Sequence, residues 1–154
     1  MVQGSVRQMT LLPRVLLVLL TLWLASCAHR LEVLPALGVP EQDALQHTPA
    51  ASLLASADEA AAAGREQAAS LYLERALRLA PNSSWLYKKM ADLRLAEGDA
   101  HAAEGFARHA LRNAEADDNR YRASLYELLA TCLARQGDAA GADAARQQAQ
   151  RLLP

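Results

Sequence analysis

AGREQAASLYLERALRLAPN, residues 63–82, decides the fold, because the chain returns to the same pattern twice more. EGDAHAAEGFARHALRNAEA follows at 97–116, and QGDAAGADAARQQAQRLLP at 136–154. Each copy opens on a glycine: Gly64, Gly98 and Gly137. Five residues later stand Ala69, Ala103 and Ala142, and seven beyond those Ala76, Ala110 and Ala149. Thirty-four residues separate the first two glycines and thirty-nine the second and third. Glycine supplies the positive φ that stops a helix and turns the chain. Alanines at fixed spacing let the helices on either side of such a turn approach closely. Around these marks the composition is Ala, Leu, Glu, Arg and Gln, all strong helix formers. Breaks at Gly64, Ala80-Pro81-Asn82, Gly98-Asp99, 115–120 and Gly137-Asp138 divide residues 49–154 into six helices of about 13–17 residues. Thr48-Pro49 provides an N-cap and a first-turn proline for the first of them.

The pattern resembles the tetratricopeptide repeat (TPR), with units at 49–82, 83–116 and 117–154. The resemblance implies an all-α fold of three helix-turn-helix units in a short right-handed superhelix, an α-solenoid. Tyr87, Met90 and Leu93 before Gly98, and Tyr126, Leu129 and Leu133 before Gly137, are the bulky residues expected to fill it. A generic alanine-rich bundle is the competing reading. The sequence departs from the family in several places. The first unit has Leu53, Ser56 and Ala57 where large apolar residues are usual, and the second ends on Glu115 rather than proline. A five-residue excess near 115–123 lengthens either the loop or the helix after it. Arg146 and Gln150 lie where a following repeat would pack, so the last helix is expected to cap the array with a polar face.

LWLASCAH, residues 22–29, concerns location rather than fold. Residues 1–26 hold no acidic residue, Arg7 and Arg14 form a basic head, and VLLVLLTLWL (15–24) is a compact apolar run. That is the layout of a secretory signal, and the run is shorter than the about 20 residues needed to cross a bilayer. Met9 is an alternative start to Met1. Leu24-Ala25-Ser26-Cys27 resembles the lipobox of bacterial lipoproteins. The resemblance implies cleavage between Ser26 and Cys27, lipidation of Cys27 (palmitate among the acyl groups), and Ala28 as a signal for the outer membrane of a Gram-negative bacterium. Residues 27–48 then form a tether, from which Leu31, Val33, Leu34, Leu37 and Val39 are available for local packing.

Without residues 1–26 the chain keeps 14 of its 16 basic residues and all 17 acidic ones, a formal charge of −3. That balance argues against nucleic acid as a partner, because phosphate binding needs clustered Lys and Arg. No catalytic constellation, phosphate loop or cofactor motif appears, so neither an enzyme nor a small-molecule substrate is expected. His101 and Glu104 share a helix face but are too few for a metal site. Cys132, within an apolar helix, reads as a small buried residue rather than a reactive thiol or a partner for Cys27. Asp117-Asp118 reads as the cap of the following helix.

In the TPR family the first helix of each unit lines a concave groove that holds segments of other proteins. Helical phase places Leu54, Asp58, Trp85, Lys88, Asp92, Leu95, Glu127, Thr131 and Arg135 on that face. Trp85 is either an exposed anchor for the partner or a core residue against the first unit. The two resemblances together imply an outer-membrane lipoprotein adaptor with its domain in the periplasm. Its partner would be an envelope protein: a penicillin-binding protein in an activator of peptidoglycan synthesis, or a secretin subunit in a pilotin. Outer-membrane assembly and a self-associating structural lipoprotein are the other layouts.

Overall fold

Side chains and glycines set the helix ends of this chain before any packing is considered. The computed structural model describes residues 40–153. The expected signal peptide, Cys27 and the tether up to residue 39 lie outside the described residues, as does Pro154. Seven α-helices and no strand occur among the described residues. They are α1 Pro40–Leu45, α2 Ala50–Ala62, α3 Glu66–Leu79, α4 Ser84–Ala96, α5 Ala100–Asn113, α6 Asn119–Arg135 and α7 Ala139–Leu152.

Gly64, Gly98 and Gly137 carry φ of 67°, 87° and 85°. At the second of them, Gly98 N–H donates to Leu95 O (3.2 Å) and Asp99 N–H to Arg94 O (2.9 Å), and the other two repeat this pairing. This is the Schellman arrangement, which satisfies carbonyls that a helix end otherwise leaves without partners. The next residue then starts a new helix. Asp99 Oδ1 accepts from Ala102 N–H (2.9 Å), and Asp138 Oδ1 from Gly141 N–H (2.8 Å). Ser83 and Asp118 cap α4 and α6 in the same way, through Leu86 N–H (3.2 Å) and Tyr121 N–H (2.9 Å). Arg65, before α3, makes no such bond. Thr48 does not cap α2 through its side chain: its hydroxyl turns back and donates to Leu45 O (2.8 Å). The reason is register: α2 starts at Ala50 with Pro49 at its N-cap, so Thr48 stands one residue too early to cap it. Helix α1, whose last carbonyl takes the Thr48 proton, falls in the stretch expected to be tether.

Helices α2 with α3, α4 with α5, and α6 with α7 form the main pairs, and α3–α4 and α5–α6 contacts join one pair to the next. Each unit touches its neighbours, as in a TPR-like solenoid. The six repeat alanines are at most 1% exposed. Leu86, Met90, Leu125 and Cys132 are the largest side chains sealed among them. The five-residue excess appears mainly as helix: α6 has 17 residues where α2 and α4 have 13. The added first turn carries Tyr121, which is 5% exposed. Ser84 Oγ donates to Ala110 O (2.8 Å) and lies 3.0 Å from Tyr121 Oη. A serine hydroxyl has one proton, so Tyr121 donates to Ser84. This satisfied polar cluster ties α4, α5 and α6 together. Arg146 and Gln150 are exposed on α7, leaving it a polar outer face. No helix among the described residues is long and apolar enough to cross a membrane.

Candidate partner-binding groove

The first helices of the three units, α2, α4 and α6, lie side by side and are stitched together on one face. Lys89 Nζ on α4 reaches Asp58 Oδ1 on α2 at 2.8 Å. Arg135 Nη1 on α6 donates to Leu95 O on α4 at 2.8 Å. Lys88 pairs with Asp92 one turn along α4 at 2.7 Å. Exposed pairs of this kind add little stability; what they contribute is a fixed charge pattern across the face.

Of the nine residues placed here by helical phase, Asp58, Glu127, Thr131 and Arg135 are exposed, and Lys88, Asp92 and Leu95 are partly so. Leu54 is a correction. It is 8% exposed and belongs to the core cluster that also contains Leu45, Leu86 and Met90, so it is not offered to a partner. The same cluster takes in Leu45 from α1 and Leu86 and Met90 from α4, so the Leu54 side chain is spent on packing within the domain. Trp85 takes the core alternative more than the anchor one. It is half-buried, packs against two of the core clusters and lies 6.1 Å from the Tyr121 ring. Its Nε1 is buried and without a hydrogen-bond partner, while Lys88 and Lys89 each hold an ammonium 5.6 Å from its ring centroid. The indole face thus supports the two lysines instead of standing free.

The sequence reading missed Lys89, Ala61, Ala96 and Glu66. These line a cavity of about 240 Å³ between α2, α3 and α4, together with Ala57, Asp58, Ala69, Leu73, Asp92 and Leu93. Its floor is mostly alanine and leucine, and its rim carries three carboxylates and one lysine. The small residues of the first unit were the available signal, but only the packing shows that they leave a hole.

Elsewhere the chemistry is quiet. Among the described residues no group of three His, Cys, Asp or Glu is arranged to hold a metal ion. His109 stacks on Tyr87 with centroids 4.9 Å apart. Glu104 accepts from Gln136 Nε2 (2.9 Å) and Arg108 Nε (2.8 Å). The Gln136 bond first, then the Arg108 bond, hold its carboxyl below the usual value of 4.5. Burial pushes the Cys132 thiol up to about 11, where it is neither nucleophile nor ligand at neutral pH.

No protein-family profile matches the chain, and no curated protein does. Among solved structures, the globular C-terminal domain of P. aeruginosa LpoP is similar at 39% sequence identity and a TM-score of 0.63. The match covers 66% of this chain and 95% of that one.

Proposed function

Because the chain belongs to the family of the globular C-terminal domain of LpoP, we propose that it is a non-enzymatic adaptor that binds another cell-envelope protein through the face formed by α2, α4 and α6. The observation that carries this reading is the face itself: one ion pair links α2 to α4, one hydrogen bond links α4 to α6, and an open, largely apolar cavity with charged residues at its border lies beside α2 and α4. In the finer reading the three helix pairs are TPR units and Cys27 is lipidated after cleavage at Ser26-Cys27. Ala28 directs the protein to the outer membrane, and the domain faces the periplasm. The lipobox-like Leu24-Ala25-Ser26-Cys27 supports the anchor. The partner is a peptidoglycan synthase of the penicillin-binding class, activated by contact with this domain.

A photoreactive residue at Thr131, exposed on α6, tests this in intact cells. Capture of a penicillin-binding protein is expected. Capture of a secretin subunit would replace the synthase with the pilotin layout. Capture only through Leu71, which is 61% exposed and stands on α3 rather than on a groove helix, would refute the groove. For the anchor, a Cys27→Ser chain should lose acyl labelling, and unchanged labelling would refute it.

A further inference from the structure

The two junctions between the units are built from equivalent positions but are closed differently. Counting back from the glycines, Arg135 stands two residues before Gly137, and Ala96 two residues before Gly98. Arg135 extends from α6 to α4 and donates to Leu95 O, a carbonyl that also accepts from Gly98 N–H. One residue on, Gln136 Nε2 donates to Ala100 O (3.0 Å) and to Glu104. At the first junction the same two positions hold Ala96 and Glu97, neither of which can donate from its side chain. Glu97 instead turns to Arg94 at 2.7 Å. The carbonyl equivalent to Leu95 O is Ala61 O, which accepts from Gly64 N–H and has a second lone pair to offer. Ala61 and Ala96 both line the cavity of about 240 Å³.

We infer that this cavity is a socket for an arginine side chain of the protein partner, which completes the first junction as Arg135 completes the second. The inference rests on the groove being the docking face. Charge supports the choice of occupant. Asp58, Glu66 and Asp92 border the cavity against the single Lys89, so a cation entering it meets a net negative rim. Asp58 and Asp92 already hold the ammonium groups of Lys89 and Lys88 respectively, whereas among the described residues no salt bridge engages Glu66, which also sits in the first turn of α3. A guanidinium suits the geometry better than an ammonium. It is planar and carries five donors, enough for a carbonyl and a carboxylate together. Its aliphatic stem can lie on Ala57, Ala69 and Leu73.

The test uses the full chain in detergent micelles and N-acetyl-L-arginine methylamide as probe, followed by backbone amide shifts in NMR. Shifts centred on Ala61, Glu66 and Ala96 are expected. The citrulline analogue, isosteric but uncharged, should give none. Ala96→Arg supplies the missing side chain from within; it should weaken the probe about tenfold or more, the equivalent of one charge-assisted hydrogen bond. Position 96 is exposed, so the urea midpoint should not fall, and Glu66→Gln gives a second variant that leaves the packing untouched. Equal binding of arginine and citrulline probes, or shifts centred elsewhere, would overturn the socket. So would a gain in probe affinity on Arg30→Gln, because the cavity would then hold this chain's own N-terminal segment. If Thr131 captures the envelope partner equally well in wild type and Ala96→Arg, the groove stands and the arginine socket falls. If Thr131 captures nothing while the probe still binds and Ala96→Arg blocks it, the groove reading falls and the guanidinium site stands.

Discussion

Arg65→Asp should stabilise the protein, although position 65 is exposed. Arg65 occupies the N-cap position of α3 with φ −103° and ψ 64° and no side-chain cap bond. The three aspartates at equivalent helix starts have nearly the same backbone: −85° and 77° at Asp99, −79° and 71° at Asp118, −81° and 79° at Asp138. Each accepts from the N–H three residues on, at 2.8–2.9 Å. An aspartate at 65 is therefore already aimed at Ala68 N–H. Exchanging an uncapped start for a capped one is worth about 1 kcal/mol, in the range of about 0.5–2. Replacing a cation by an anion beside the helix N-terminus adds about 0.3–1 kcal/mol at low salt. Repulsion from the neighbouring Glu66 offsets part of that. A net gain of about 1 kcal/mol should raise the urea midpoint by about 0.5 M, taking a slope of about 2 kcal/mol/M. Circular dichroism at 222 nm measures it, with Arg65→Ala as the control that removes the cation without adding an acceptor. In high salt the dipole part is screened and the capping bond remains. If Arg65→Asp is no more stable than Arg65→Ala, capping does not control the start of α3 and the reasoning is refuted.

The glycines separate conformational need from mere presence. Gly98→Ala, at φ 87°, should lose about 1–2 kcal/mol, whereas Gly105→Ala, inside α5 with open space around a new Cβ, should gain about 0.5–1 kcal/mol; equal urea midpoints would contradict both. In a Cys27→Ser background, Cys132 should resist a thiol reagent at pH 8 in the native state and react on unfolding. Its raised pKa of about 11 means that the unfolded thiol ionises first, so stability falls only as pH rises through about 9 towards 11; rapid native labelling at pH 8 would contradict the burial. Glu104 works in the opposite direction. Its pKa is lowered by Gln136 and Arg108, so its contribution is present above the ordinary value of 4.5 and is lost as pH falls below it. The stability difference between wild type and Glu104→Gln should therefore shrink on acidification, and a difference constant between pH 7 and pH 3 would rule the linkage out.

Much of the fold was legible because it is local. Gly64, Gly98 and Gly137 are needed for a backbone conformation that other residues adopt at a cost, and the aspartates after two of them act within three residues of themselves. The repeat alanines are likewise set by period, and all six are buried. Helical phase was enough to read Asp58, Lys88, Asp92, Thr131 and Arg135 as surface residues, and each is exposed or partly so, but the depth of the surface beside them was not legible. Whether Leu54 lies on that face or beneath it depends on α1 and Leu45, and a helix of six residues leaves no period in the sequence. Trp85 had two compatible positions until the lengthened α6 brought Tyr121 against it.

By itself, then, the sequence determined where the helices ended by Gly64, Gly98 and Gly137 stop, where those capped by aspartate begin, which alanines turn inward, and that a lipobox-like cysteine stands ahead of them. Those properties depend on bonds and contacts within one helix turn or one repeat period. Only the tertiary structure decided which junction is closed and which is open. Arg135 and Ala96 occupy equivalent places, and their difference acquires meaning only when the carbonyl forty residues away, Leu95 O, is seen to be within reach of one of them.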